Sequence, residues 1–314
     1  MSPRRLGALL AIATSVLWGT AWVATRFALE SFDPTAAAAW RGLGAAALLG
    51  IAIVAGVGGG EARRWRALSR GQAWRLLALG ALGGLIFVTG MNIAIQRTGA
   101  TVAAFVAGLY PVLAAGGAPL VLRERTRRAA LAGIAVAIVG VWLLAGVDLT
   151  ASHVDGIVVG LVAAAAFAAY LLLTRRWAGP WHLPAALISW SVFATLGVGA
   201  AALELLRAPG GLLPPGLQIG AVLAVAWLAV PSGALAHLLV IGSLRRLPAQ
   251  ESSAYLLLNP LTAAVLAAPL LGERMTPAQL LGAACVLAGI GLATVVGARR
   301  APLQAPTEAR EPAV

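Results

Sequence analysis

The sequence contains no lysine: all 23 of its basic residues are arginine. It has a single cysteine, Cys285, in an apolar run, so no disulfide can form within one chain and no redox compartment can be inferred. Histidine occurs only at positions 153, 182 and 237, with no HExxH pattern and no Cys/His grouping, which argues against a metal site. There is no GxxxxGK[ST] run, so a P-loop for ATP is excluded and energy must come from gradients. Charge is scarce as well, at 11% of residues against roughly a quarter in a soluble domain. The apolar runs hold no acid pair and no His/Cys set, so an intramembrane enzyme would lack its catalytic constellation. No cofactor is implied.

What the sequence does have is apolar length. Sixty per cent of its 314 residues are hydrophobic and the mean hydropathy is +0.89, the composition of an all-α polytopic membrane protein. A net charge of +12 would suit a nucleic-acid partner, but the arginines sit in short clusters between apolar runs, so the partner they serve is the lipid bilayer and not nucleic acid. About 20 residues at 1.5 Å each cross a ~30 Å hydrocarbon core. Cutting at charges, Pro and Gly clusters predicts ten spans: 6–29, 35–57, 73–96, 100–122, 130–147, 155–173, 184–206, 217–243, 250–271 and 278–297. The first run opens like a signal peptide, with Arg4 and Arg5 before LGALLAIA, yet it stays apolar through Leu29 and is expected to be a retained span. With the N-terminus inside, eighteen arginines fall in cytoplasmic segments and three outside (Arg97, Arg207 and Arg274), so both termini are predicted cytoplasmic. The polar, Pro-rich tail over 298–314 is expected to be a disordered cytoplasmic segment.

A shift of 149 residues overlays the two halves without a gap over more than thirty residues. Pro111 falls on Pro260, Glu124-Arg125 on Glu273-Arg274, Gly133 on Gly282 and Gly140 on Gly289. The first repeat covers 6–147 and the second 155–297. Five spans per repeat is an odd number, so the second copy must enter the membrane upside down. Pro111 and Pro260 each lie about ten residues into a span, at a depth of about 15 Å. Proline has no N–H and its ring crowds the carbonyl four residues earlier, so the carbonyls of Ala107 and Leu256 lose their helical partners. Unpaired carbonyls in hydrocarbon cost several kcal/mol unless they face protein, water or a ligand. Tyr110 and Asn259, each beside its proline, add polarity at the same depth, and the two kinks are expected to meet at a midplane pathway. The blander alternative is that the prolines only shape packing.

The segments WGTAWVATRFAL, MNIAIQRTGATVAAFVAGLYPVLAA and NPLTAAVLAAPLLGER resemble the EamA-type branch of the drug/metabolite transporter superfamily, twice over, across about residues 6–297. The P…GER block is the most specific part, and the first copy departs from it in reading RERT at Arg123. The resemblance implies a ten-helix carrier in the bacterial inner membrane that moves a small organic solute by alternating access. Amino-acid export and efflux of cationic toxic compounds both stay open, as does a scaffold or receptor-like role without transport.

Several side chains stand out inside the spans. Arg41 lies about six residues from the outer end of span two, where a cation either faces the bundle interior or snorkels outward. The shift sets Trp190 at its place in the second repeat, and a substrate carboxylate held by Arg41 would use that difference. Arg26, nearer the surface, reads as a snorkelling anchor. Trp18 and Trp22, spaced i and i+4, share one face of span one. With Tyr170, Trp190 and Tyr255 they either stack on a planar or cationic solute or simply pack. His237 is the one group titrating near neutrality within a span, and is either a proton site or a structural hydrogen-bonding residue. Glu124 and Glu273 are expected to pair with neighbouring arginines and pin helix ends. Gly133, Gly140, Gly282 and Gly289 give spans five and ten a close-approach face, for scaffold contacts or for a homodimer.

Overall fold

In lipid every backbone polar group must bond within the protein, so runs of Ala, Leu, Val and Ile this long fold as helices. The computed structural model describes residues 2–56, 68–123, 128–145, 151–178, 180, 183, 185–244, 246, 247, 255 and 258–292. Among these, every regular element is helical. Seven helices are long and apolar enough to cross a membrane: Pro3–Ala28, Pro34–Val54, Arg70–Thr98, Ala100–Leu122, His153–Ala178, Ala185–Arg207 and Ile219–Ser243. Three shorter apolar helices, Leu131–Leu144, Leu258–Leu271 and Pro277–Gly291, complete the set. In chain order these ten are spans one to ten. The predicted start of span nine, Glu124 and the 298–314 tail lie outside the described residues.

Helix starts follow local chemistry. Ser2 caps span one by accepting from the Arg5 N–H at 3.3 Å, with Pro3 in the first turn where no donor is missed. Ser69 with Gln72 and Thr276 with Gln279 form reciprocal capping boxes at the starts of spans three and ten. The 208–218 segment is tied to span two and to the loop before it: Trp40 Nε1 donates to the Leu212 carbonyl at 2.8 Å and the Gln218 N–H to Ser31 Oγ at 3.2 Å.

The tertiary packing crosses the repeats. Span one packs on spans eight and nine, and span six on spans three and four. Span two packs on seven, and five on ten. The shift of 149 converts each of these contacts into another of the same set, so each half leans on the other more than on itself. Small residues make the crossings close. A methyl group on Gly140 would stand 2.8 Å from the Gly282 carbonyl, and one on Gly289 would stand 2.6 Å from the Gly133 carbonyl. Those two approaches are repeat equivalents. The glycines predicted to bring helices together therefore join span five to span ten within one chain. Gly42 and Gly197 do the same for spans two and seven, backbone against backbone. The outward surface is apolar, with Leu120, Val54 and Trp142 exposed by 86%, 78% and 74%, as lipid-facing side chains should be.

Candidate substrate pathway

Among the described residues the first repeat breaks its helical ladder in two places and the second in one. Span four stops at Ala107 and restarts at Tyr110, with the Leu109 N–H bonding to Val106 O at 3.2 Å in a tighter turn. The interruption thus precedes Pro111, which sits in the first turn of the new segment, where its missing N–H costs least. Pro260 is buried in the described part of span nine.

The second break was not anticipated. Span three widens into π winding over Ala81–Ile86, and span eight does so over Val230–Leu235. The two segments coincide under the same shift of 149. In span eight the cause is chemical: Pro231 cannot donate, so Trp227 O loses its usual partner. Ser232 Oγ replaces it, donating to Trp227 O and Leu228 O at 3.3 Å each. In span three the winding is made by Gly83 and Gly84, whose missing side chains leave room for the Tyr170 ring and the Val192 carbonyl. Gly83-Gly84 lined up with Ser232-Gly233 was the available signal in the sequence, and π turns of this kind recur at functional sites.

Around these breaks the predicted residues gather in two groups. In the first, Trp22 Nε1 donates to Asn259 Oδ1 at 2.7 Å, joining span one to span nine. One turn earlier on span one, Trp18 lies 5.3 Å from the His237 ring, and Phe193 meets the same ring edge-on at 4.7 Å. His237 Nδ1 lies 3.0 Å from Gly233 O; a carbonyl only accepts, so this nitrogen carries the proton. The structural hydrogen bond is therefore real, and it ends on the π segment. Arg41 is near enough to act electrostatically on His237, and its Nε is shut from solvent without a hydrogen-bond partner. In the second group, Tyr110 packs edge-on against Phe167 at 4.9 Å, and Phe167 contacts Tyr170 at 5.2 Å and Phe87 at 4.4 Å. Phe167 is the repeat equivalent of Trp18, and Tyr110 of Asn259. Equivalent positions thus carry Trp18 and Asn259 in the first group and Phe167 and Tyr110 in the second.

A family model for EamA-like transporters matches residues 5–146 and again 154–295. The chain belongs to the EamA-like transporter family. It is a multi-pass membrane transporter and not an enzyme. Among EamA-like and related proteins it is 27% identical over 299 residues to the uncharacterized transporter YwfM of Bacillus subtilis, covering 90% of this chain and 91% of that one. It is 31% identical over 165 residues to the threonine/homoserine exporter RhtA of Escherichia coli, a match spanning about half of each chain (49% and 51%). A solved crystal structure, 19% identical in sequence, superposes with a TM-score of 0.64 over 93% of this chain and 98% of its own, which supports the fold.

Two predicted pathway residues of this EamA-like chain are placed differently from the rest; Trp190 also packs on the cluster of Ala45, Leu49 and Phe193. Trp190 lies against Gly50 and the Ile53, Ala186 and Leu187 cluster, about three turns along span two from Arg41. Tyr255 is half-buried and joins neither group among the described contacts. Glu273 does more than pin a helix end. Its carboxylate accepts from the Ala100 and Thr101 N–H groups at 2.7 and 2.9 Å, so the end of span nine caps the start of span four. That charge finds backbone amides where an arginine partner was expected. The cap needs Gly99, which has φ +85° and would set a methyl 2.7 Å from Glu273 Oε1.

Proposed function

We propose that this protein is a secondary carrier that exports a small zwitterionic metabolite, an amino acid or similar, from the cytoplasm across the bacterial inner membrane. The two five-span repeats lie antiparallel in the bilayer with both termini cytoplasmic, as the odd span count and the arginine distribution favour. Spans one, two, eight and nine rock against their repeat equivalents, spans six, seven, three and four, in alternating access. Arg41 receives the solute carboxylate, and Asn259 with Trp22 offers hydrogen-bonding edges beside it. Trp18, His237, Tyr110, Pro111, Tyr170 and Pro260 shape the remaining wall.

The observation that supports this reading is the buried Nε of Arg41, which has no hydrogen-bond partner among the described residues and acts electrostatically on His237 of the other repeat. A cation so placed demands an anion or a polar ligand. The name of the RhtA relative, a threonine/homoserine exporter, agrees with an amino-acid carboxylate. The test is counterflow in proteoliposomes with L-threonine, other amino acids, nucleosides and flat organic cations. Amino-acid counterflow in wild type, lost in Arg41→Ala and at least tenfold slower in Asn259→Leu, supports the proposal. Folded variants that transport like wild type refute the site. A response to cations alone refutes the substrate class.

A further inference from the structure

A cavity of about 350 Å³ opens where the ends of spans one and nine meet the corner between spans three and four. Its charged lining is Arg26, Glu30 and Glu273, and Phe27, Ile95 and Leu271 supply apolar wall.

The three charges are not equivalent. Both Glu273 oxygens are committed to the amides of Ala100 and Thr101, and its charge is offset by the positive end of the helix that starts there. Arg26 and Glu30 are uncommitted: neither has an ion-pair or hydrogen-bonded side-chain partner among the described residues. They are four residues apart, and the chain between them is still turning, with the Glu30 N–H bonded to Phe27 O at 3.2 Å. Both line the same cavity, Arg26 from the last turn of span one and Glu30 from the turn just past its end, and both are exposed. Sharing one wall without pairing, they present one cationic and one anionic end to a molecule carrying both charges. The volume lies within the range of small-ligand pockets.

We infer that this cavity is a second solute site, outside the central group, which binds zwitterions with their carboxylate on Arg26 and their ammonium on Glu30. Gln96 lies on the same wall as a further polar contact, and Phe27, Ile95 and Leu271 take the solute side chain. The inference rests on the zwitterionic substrate class proposed above and gives it a station at one mouth of the pathway. Because the floor of the cavity is the Glu273 cap, a solute held there sits directly over the contact that joins span nine to span four.

The test is equilibrium dialysis of radiolabelled L-threonine against the full chain in nanodiscs. The Arg26→Gln/Glu30→Gln double variant leaves net charge unchanged and touches no buried contact; a monodisperse size-exclusion profile confirms folding. It should bind one equivalent fewer than wild type, and Arg26→Lys should restore most of the loss. Competition by 1-amino-2-propanol or 3-hydroxybutyrate, each carrying one of the two charges, should be at least tenfold weaker than by unlabelled threonine. Equal stoichiometry in wild type and the double variant overturns the inference, as does a single-charge competitor matching threonine. Arg41→Ala reads the central site separately. If it binds as wild type does while the double variant loses an equivalent, the central reading falls and the outer site stands.

Discussion

The bond from Trp22 Nε1 to Asn259 Oδ1 joins two of the residues on which the transport reading rests, and its strength can be measured. At 2.7 Å it is short for an N–H···O bond. A neutral bond contributes about 1 kcal/mol net, whereas stranding a buried donor or acceptor costs about 1–3 kcal/mol. Both side chains are half-buried, so the lower part of that range applies. Trp22→Phe strands the asparagine oxygen and Asn259→Leu strands the indole N–H. Each should therefore destabilise by roughly 1–2 kcal/mol, with packing changes added to the lost bond. The double variant removes both partners together. It should cost less than the sum of the singles by about 1 kcal/mol, or about fivefold in the folded-to-unfolded ratio. The assay is a double-mutant cycle on equilibrium unfolding in mixed micelles, repeated on counterflow rate. Additivity within about 0.3 kcal/mol would show that the two side chains do not act as a pair, and would refute the claim that span one and span nine are locked at this point.

Other outcomes follow from the same structure. Glu273→Gln keeps the side-chain size but loses the charge and sets an NH2 donor against one of the two amide N–H groups, and should cost about 1–3 kcal/mol in unfolding measurements. Gly99→Ala should cost at least as much, because it adds a strained φ to a steric clash with the same carboxylate. Gly140→Val and Gly289→Val should each separate spans five and ten and lower the unfolding midpoint by similar amounts, since their contacts are repeat equivalents. In a Cys285→Ala background, cysteines placed at Glu124 and Glu273 should react with membrane-impermeant reagent from opposite faces; reaction from one face would refute the antiparallel arrangement.

Much of this protein is legible from composition and spacing. A chain this apolar must satisfy its backbone internally, so span number follows from the length of each run. The repeat follows from identities at a fixed offset, and prolines within lipid-depth helices mark where ladders fail. The pairing of Trp22 with Asn259 was not visible in this way, because two polar groups at equal depth can face each other, the lipid or separate partners. The surroundings of Trp190 were not visible either: an equivalent position in a repeat fixes local geometry but leaves the facing helix free to differ. The π segments hid behind glycines that any close helix crossing would also use.

Local sequence therefore determined ten helices, their duplication and the proline sites within them, since these depend on backbone hydrogen bonding and hydrophobic length. Only the tertiary structure decided that the two copies interlock, with span one on eight and nine and span six on three and four. Such contacts are set by which small residues allow close approach, between segments up to more than two hundred positions apart. The same interlocking brings Arg41 within electrostatic reach of His237 and the Glu273 carboxylate onto the amides of span four, placements that neither repeat could produce alone.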